Sequence, residues 1–111
     1  MWKMFLDDER WPKEDGWRIV RCSFDAKEIV KEEGMPVEIA FDHDLGVAFN
    51  DEEGEYFDTS MRFIHWFIDQ HYDHGLVIPE GFKYTVHSQN PIGARNIKEL
   101  MDGFLADIGR A

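Results

Sequence analysis

Residues 37–46 read Val37-Glu38-Ile39-Ala40-Phe41-Asp42-His43-Asp44-Leu45-Gly46. The first five positions are mainly apolar, as expected for a strand buried in a parallel sheet. Three consecutive ionisable side chains follow, and a buried strand does not accommodate them. We therefore expect the strand to end at Phe41 and the polar triplet to lie just beyond its carboxyl end, where open α/β sheets bind their ligands.

Two other apolar runs end in the same way. Trp2 to Leu6 is followed by Asp7-Asp8-Glu9-Arg10, and Phe82 to Val86 is followed by His87-Ser88-Gln89-Asn90. A fourth run, Trp17 to Cys22, carries two arginines, which favours an edge strand. If the strands are parallel, their polar endings meet at one edge of the sheet and form a single crevice.

Helical patterns occupy the segments between these strands. Helices are predicted from Phe24 to Glu33, from Ser60 to about Tyr72, and from Ile92 to about Ile108. Ser23 is the expected N-cap of the first helix and Asp58 or Thr59 that of the second. Asn90 precedes Pro91 at the start of the third, a favourable pairing of cap and first position.

These elements predict one α/β domain over residues 1–111. We expect a shortened flavodoxin-like or receiver-like three-layer sandwich. It would have a four-stranded parallel sheet in the order 2-1-3-4, with about three helices shared between its two faces. The acidic segment from Val47 to Phe57 is expected to be a solvated loop or a substrate-gated lid.

Composition excludes several classes of protein. The formal net charge of −11 disfavours an extended nucleic-acid groove, because such binding requires many phosphate-neutralising cations. This net charge is still compatible with the binding of a small ligand that carries one phosphate. No apolar stretch is long enough to span a bilayer, so a cytoplasmic location is expected. Cys22 is the single cysteine, cannot form an intramolecular disulfide, and is expected to be buried filling.

Three sequence motifs, taken in chain order, resemble those of a known protein family. They are Leu6-Asp7-Asp8-Glu9-Arg10-x-Pro12, Phe41-Asp42-His43-Asp44-Leu45-Gly46 and Val86-His87-Ser88-x-Asn90-Pro91-x-Gly93-x-x-Asn96. Together they resemble the cyclic-phosphate processing receiver-like domains, which are divergent relatives of response-regulator receiver domains. The resemblance spans nearly the whole chain. It implies a flavodoxin-like fold and an action on cyclic phosphates linked to RNA repair.

The resemblance also implies roles for individual residues. Asp7 and Asp8 match the acidic pair that helps hold Mg²⁺ in receiver domains, and Asp42 or Asp44 matches the acid after the third strand. Ser88 lies near the receiver hydroxyl position. Four residues belong to the divergent family's own pattern: His43, His87, Asn90 and Asn96. The expected metal ligands are Asp7, Asp8 and Asp42, and no organic cofactor is expected.

Opening a cyclic phosphodiester requires a base that activates water and an acid that protonates the leaving alkoxide. Imidazole titrates near neutral pH, so His43 and His87 are the candidate pair, with Asp44 or Asp42 orienting one ring. The phosphate oxygens would be bound by Arg10, Ser88 and the helix start at Asn90. Asn96, one to two turns inside the helix, would point back at the site or towards water.

Two alternatives remain open at this point. One is a catalytically silent module, of the kind a phage or mobile element could encode, that binds a protein partner through its acidic, aromatic surface. The other is a Mg²⁺-dependent phosphoacceptor in which Asp42 or Asp44 is phosphorylated.

Overall fold

The computed structural model describes residues 1–110. Its elements follow in chain order: β1 (Lys3–Leu6), β2 (Trp17–Val20), α1 (Ser23–Glu33), β3 (Glu38–Phe41), β4 (Asp44–Asn50), β5 (Gly54–Thr59), α2 (Ser60–His74), β6 (Lys83–Val86) and α3 (Pro91–Asp107). The four predicted strands are all present, each one or two residues shorter than expected, and the three predicted helices are present as well. Within this part of the chain, none of the helices combines the length and apolarity needed to cross a membrane.

The main sheet is parallel and has the order β2-β1-β3-β6. Counted over its own four strands, this is the predicted order 2-1-3-4, and the flavodoxin-like fold class is confirmed. Leu6, Phe41 and Val86 end their strands in one register row. The residues that directly follow these strands are Asp7, Asp42 and His87, and all three therefore lie at the same edge of the sheet.

All three helices pack on one face of this sheet. Their buried side chains form a single core with the sheet residues Met4, Leu6, Ile39 and Phe41. The expected second helical layer is not found in residues 1–110, so the domain has two layers where three were predicted. The reason lies in the β1–β2 connection, which contains no helix: the Asp7 carboxylate accepts hydrogen bonds from the backbone N–H groups of Glu9 and Arg10 and turns the chain at once.

The segment predicted as a polar loop or lid is mainly a β-hairpin. Strands β4 and β5 pair antiparallel, with Val47 opposite Phe57 and Ala48 opposite Tyr56. Only the acidic tip at residues 51–53 is a turn, and Arg62 of α2 binds it through Glu53. The loop prediction was wrong because the run of acidic residues, which occupies only the tip, hid the strand-like alternation on either side of it.

One of the three predicted N-cap residues is corrected. Cys22, not Ser23, caps α1, and its Sγ accepts from the Asp25 N–H, so this half-buried thiol is more than core filling. Thr59 occupies the N-cap position of α2 but makes no side-chain cap bond. The Asp58 side chain is buried and accepts hydrogen bonds from Ser23, the first residue of α1. At α3, Asn90 accepts from Gly93 N–H and Pro91 is the first residue, as predicted.

Candidate functional site

An acidic cavity of about 370 Å³ opens at the carboxyl edge of the sheet. It draws its walls from the ends of β1 and β3, the start of β4 and the β6–α3 connection, so distant segments meet here as predicted. We call it the acidic cavity; its lining is Asp8, Glu9, Arg10, Asp42, Asp44, Gly46, Ser88, Gln89 and Asn90.

Three carboxylates converge beside this cavity. One ligand oxygen each from Asp7, Asp8 and Asp42 lies within 4.8 Å of the other two. Burial, and then the negative charge of Asp7, raises the pKa of Asp42, against the opposing Ser88 hydroxyl and His87. Carboxylate oxygens are the donors that hard divalent cations prefer, and a cation would relieve this repulsion. The donor set therefore fits a divalent metal at the predicted residues.

Asp7 organises the loop that follows β1. It is fully buried; its Oδ1 accepts from Glu9 N–H and Arg10 N–H, each at 2.9 Å, and its Oδ2 pairs with His87. Burial alone would raise the pKa of Asp7, but the two backbone N–H groups and His87 outweigh it, so the pKa is below its ordinary value. Asp7 is thus an ionised anchor as well as a candidate ligand.

Gly46 allows the chain to pass close to Asp8. Its φ is +78°, and a Cβ at this position would lie 3.0 Å from the Asp8 Oδ2. Glycine adopts this left-handed conformation without steric cost. The turn into β4 can therefore close against the carboxylate without a side chain between them.

His87 is held from two directions. Its Nε2 lies 2.9 Å from the Asp7 Oδ2, and its ring stacks on Phe5 with a centroid separation of 4.7 Å. The imidazole lies on the helix-free face of the sheet and lines a second cavity of about 410 Å³. We call this the aromatic cavity; it is lined by Phe5, Arg10, Trp11, Pro12, Lys13, Glu14, Trp17, Ala40, Thr85 and His87.

His43 lies on the helical side of the same edge. Its Nδ1 is 2.9 Å from the Asp44 Oδ1, and Asn90 Nδ2 donates to the other oxygen of Asp44 at 3.3 Å. The His43 hydrogen bond lowers the pKa of Asp44, against a small effect of burial and with help from Asn90. The imidazole packs so closely on α3 that a Cβ at Gly93 would lie 2.4 Å from its Cγ. Glycine at this position is what leaves room for the ring.

The two histidines are not neighbours. His43 packs against α3, whereas His87 stacks on Phe5, on the other face of the sheet. Neither ring lines the acidic cavity, although Asp44 lines it and Asp7 lies within 4.8 Å of its lining residues Asp8 and Asp42. Each histidine therefore forms its own pair with a carboxylate.

Arg10 connects the two cavities. It lines both, and its Nη1 donates to the carbonyl oxygen of His87 at 2.9 Å. Arg21 fastens the loop beneath it by donating to the carbonyl oxygens of Asp7 and Arg10. Sequence reasoning did not identify Arg21, because nothing local marks an arginine just after an edge strand as a support for a distant loop.

Ser88 and Asn96 have different surroundings. The Ser88 hydroxyl accepts from Asn90 N–H at 3.1 Å and borders the acidic cavity. Asn96 is exposed on α3 and lines neither cavity, because Gly93 and Ile97 form the inward face of the helix there. Asn96 is the one predicted site residue that the structure does not bring to the site. Phe5 and Gly93, like Arg21, are supporting residues that sequence reasoning did not assign.

Comparison with known proteins supplies one match. Residues 2–103 match the sequence model of the cyclic-phosphate processing receiver domain. Searches of the curated proteins and of the solved structures found no match. Because the matched region covers almost the whole sequence, the chain belongs to the family of cyclic-phosphate processing receiver domains.

Proposed function

We propose that this chain is a small phosphodiesterase that opens a cyclic phosphate, with nucleoside and ADP-ribose cyclic phosphates as the substrate classes to test. The observation that carries the proposal is the pair of histidine–aspartate contacts on opposite faces of the sheet, at the edge where Asp42 follows β3. His87 pairs with Asp7 on one side and His43 with Asp44 on the other, each at 2.9 Å.

This arrangement suits an in-line displacement at phosphorus. The attacking water and the leaving alkoxide lie on opposite sides of the phosphorus in such a reaction, so base and acid act from opposite sides. An ionised aspartate accepts a hydrogen bond from one ring nitrogen and leaves the other to exchange a proton with the reactants. A phosphate lying over Asp42 would have one imidazole on each side.

Groups that bind a phosphate surround the acidic cavity. Within residues 1–110, a single guanidinium nitrogen of Arg10, Nη1, donates a hydrogen bond, to the carbonyl oxygen of His87. The other N–H groups of this guanidinium can therefore donate to a phosphate. Ser88 offers a hydroxyl, and the N-terminal end of the long helix α3 carries partial positive charge. These donors would orient the phosphate and stabilise the charge that develops on its oxygens.

A divalent cation completes the proposed site, with Mg²⁺ as the first candidate and no organic cofactor. The ligands would be Asp7, Asp8 and Asp42, whose oxygens already converge. Bound there, the cation would neutralise charge on the phosphate. The proposal also includes a role in RNA repair, suggested by the family resemblance, and the cytoplasmic location expected from the sequence.

Phosphorus NMR of a panel of cyclic phosphates tests the proposal. Wild type should convert the cyclic diester signal of a nucleoside 2′,3′-cyclic phosphate or an ADP-ribose cyclic phosphate into that of a monoester, and Mg²⁺ should accelerate the conversion. His87→Ala should slow it by roughly 100- to 10,000-fold, the range for loss of a general acid or base. His65→Ala is the matched control, because His65 is exposed on α2 and outside both cavities. Absence of turnover by wild type across the panel would reject the proposal.

One observation favours a second candidate, a module that binds a protein partner. The hairpin exposes three large apolar side chains: Val47, Phe49 and Phe57 are 63%, 69% and 82% exposed. Beside its acidic tip they form an apolar surface with an acidic border, which is typical of interaction sites. If wild type opens no cyclic phosphate, affinity capture with wild type and Phe57→Ser would test this candidate, and a partner retained equally by both would contradict a role for the hairpin.

A further inference from the structure

The aromatic cavity exists because no helix covers this face of the sheet. Phe5 and Ala40 form its floor, and the β1–β2 loop forms a wall that carries Trp11. Trp17, on the edge strand, packs edge-on against Phe5, with ring centroids 6.2 Å apart. A small apolar cleft with a few polar groups at its margin is the usual form of a site for a flat organic ligand.

This cavity adjoins the proposed reaction site. Arg10 lines both cavities, and His87 lines the aromatic one while its Nε2 reaches Asp7 at the edge of the acidic one. A ligand whose phosphate contacts Arg10 would therefore have its next chemical group directed towards the aromatic rings.

The Trp11 side chain is positioned to stack on a ligand. Its side chain is 73% exposed, yet it is held in place, since the Arg21 guanidinium carbon lies 4.9 Å from the ring centroid. Arg21 is itself fixed by its bonds to the carbonyl oxygens of Asp7 and Arg10. An exposed indole with a guanidinium beside its ring resembles the platforms on which proteins stack nucleobases.

Charge around the aromatic cavity also differs from that of the whole protein. The net charge is −11, but Arg10 and Lys13 line the cavity against a single acid, Glu14. Lys3 adds a further cation, with its Nζ 4.5 Å from the Trp17 ring centroid. This local positive charge offsets the negative charge of the rest of the protein and favours the approach of a ligand that carries a phosphate.

We propose that the aromatic cavity binds the base of a nucleoside cyclic phosphate, with Trp11 as the stacking platform, while the cyclic phosphate lies in the acidic cavity. The inference rests on the proposed function and narrows its substrate class. The preferred substrate carries an aromatic base on the same ribose that carries the cyclic phosphate.

Two compounds test this inference: adenosine 2′,3′-cyclic phosphate, and methyl riboside 2,3-cyclic phosphate, in which a methoxy group replaces the base. Wild type should show a kcat/KM roughly 5- to 150-fold higher for the adenosine compound, the range expected for one stacked base. Trp11→Ala should lose most of this preference and Trp11→Phe should keep much of it. Phe24→Ala, which removes another exposed aromatic ring but lies outside both cavities, should retain the wild-type preference.

Failure of the inference can be distinguished from failure of the proposed function. Equal turnover of both compounds by wild type, or an unchanged preference in Trp11→Ala, would overturn the base site while the phosphodiesterase stands. If wild type opens neither compound, calorimetric titration decides: tighter binding of the adenosine compound that is lost in Trp11→Ala supports the base site, and equal or absent binding overturns it. A Trp11-dependent dimer in sedimentation, without base-dependent binding, would assign the cavity to a second copy of the chain and also overturn it.

Discussion

The imidazole of His87 stacks on the phenyl ring of Phe5, with centroids 4.7 Å apart and ring planes 9° apart. Phe5 lies on β1 and His87 directly follows β6, and these strands flank β3, where Ala40 lies beside Phe5 in the register. Its small side chain leaves space for the two larger rings to meet. Stacking sets the plane of the imidazole and the Asp7 contact sets its rotation, so His87 has little freedom to turn.

Phe5→Leu should therefore impair catalysis while preserving the fold. Leucine keeps the site apolar but removes the flat surface, and we expect kcat to fall about 10- to 100-fold with a small change in KM. The measurement is steady-state kinetics on methyl riboside 2,3-cyclic phosphate, which has no base to contact Phe5 in the aromatic cavity. In the His87→Ala background the same substitution should have no further effect on kcat, as required of a residue that acts by positioning His87. A full additive loss in the double variant would contradict that role.

Gly93→Ala should displace His43, because the new Cβ would lie 2.4 Å from the imidazole Cγ. We expect the free energy of unfolding to fall by about 1–3 kcal/mol, the usual cost of overpacking, together with a loss of turnover. Gly103→Ala in the same helix has no atom within 4 Å of the new Cβ and should raise it by about 0.5–1 kcal/mol. Urea unfolding of both variants is the measurement, and changes of equal sign would contradict the packing argument.

Asp58→Ala should destabilise the domain through α1. Asp58 accepts from Ser23 N–H at 2.8 Å and from its hydroxyl at 2.6 Å, and its removal leaves buried donors without a partner. A fall of about 1–3 kcal/mol in the free energy of unfolding is expected. Thr59→Ala, at the N-cap of α2, should change it by less than about 0.5 kcal/mol, because Thr59 makes no cap bond. A larger effect of Thr59→Ala than of Asp58→Ala would contradict this assignment.

The acids Asp7 and Asp42 should have opposite effects on stability. The pKa of Asp7 is lowered from 3.8, so its contribution is present above about pH 3.8 and is lost as the pH falls through its folded value. The pKa of Asp42 is raised from 3.8, so its contribution is present below that pH and is lost as the pH rises through its folded value. At pH 7 without metal, Asp7→Asn should lower the free energy of unfolding by about 1.5–3 kcal/mol, and Asp42→Asn should raise it. Urea unfolding at pH 7 and pH 3 checks both signs, and a stabilising Asp7→Asn at pH 7 would refute the first.

Mg²⁺ should stabilise wild type through the three converging carboxylates. At a concentration 100 times its Kd, a ligand that binds only the folded state adds about 2.7 kcal/mol. Thermal unfolding with and without Mg²⁺ should show this as an increase in Tm, and Asp8→Asn should greatly reduce the increase. Asp15→Asn removes the same charge on the exposed β1–β2 connection and should retain it. Equal shifts in the two variants would indicate that Mg²⁺ binds elsewhere.

Local patterns were sufficient for much of this protein. Apolar runs that stop at ionisable residues placed three of the four sheet strands, and their polar endings predicted the convergence of Asp7, Asp8 and Asp42, because parallel strands share one carboxyl edge. The cap at Asn90 followed from the type of residue and its position before Pro91. These features depend on residues that are close together in the chain, so the sequence alone is sufficient to predict them.

Tertiary structure alone settled the features that depend on register and on which face each connection covers. The absence of a helix between β1 and β2 opened the aromatic cavity, and strand register placed His87 on Phe5 rather than beside His43. Asp58 lies next to α2 in sequence but accepts a hydrogen bond at the start of α1. His43 packs against Gly93, which lies fifty positions later in the chain. Periodicity along a chain says which side chains are buried, but contact between two of them depends on how separate elements pack against each other.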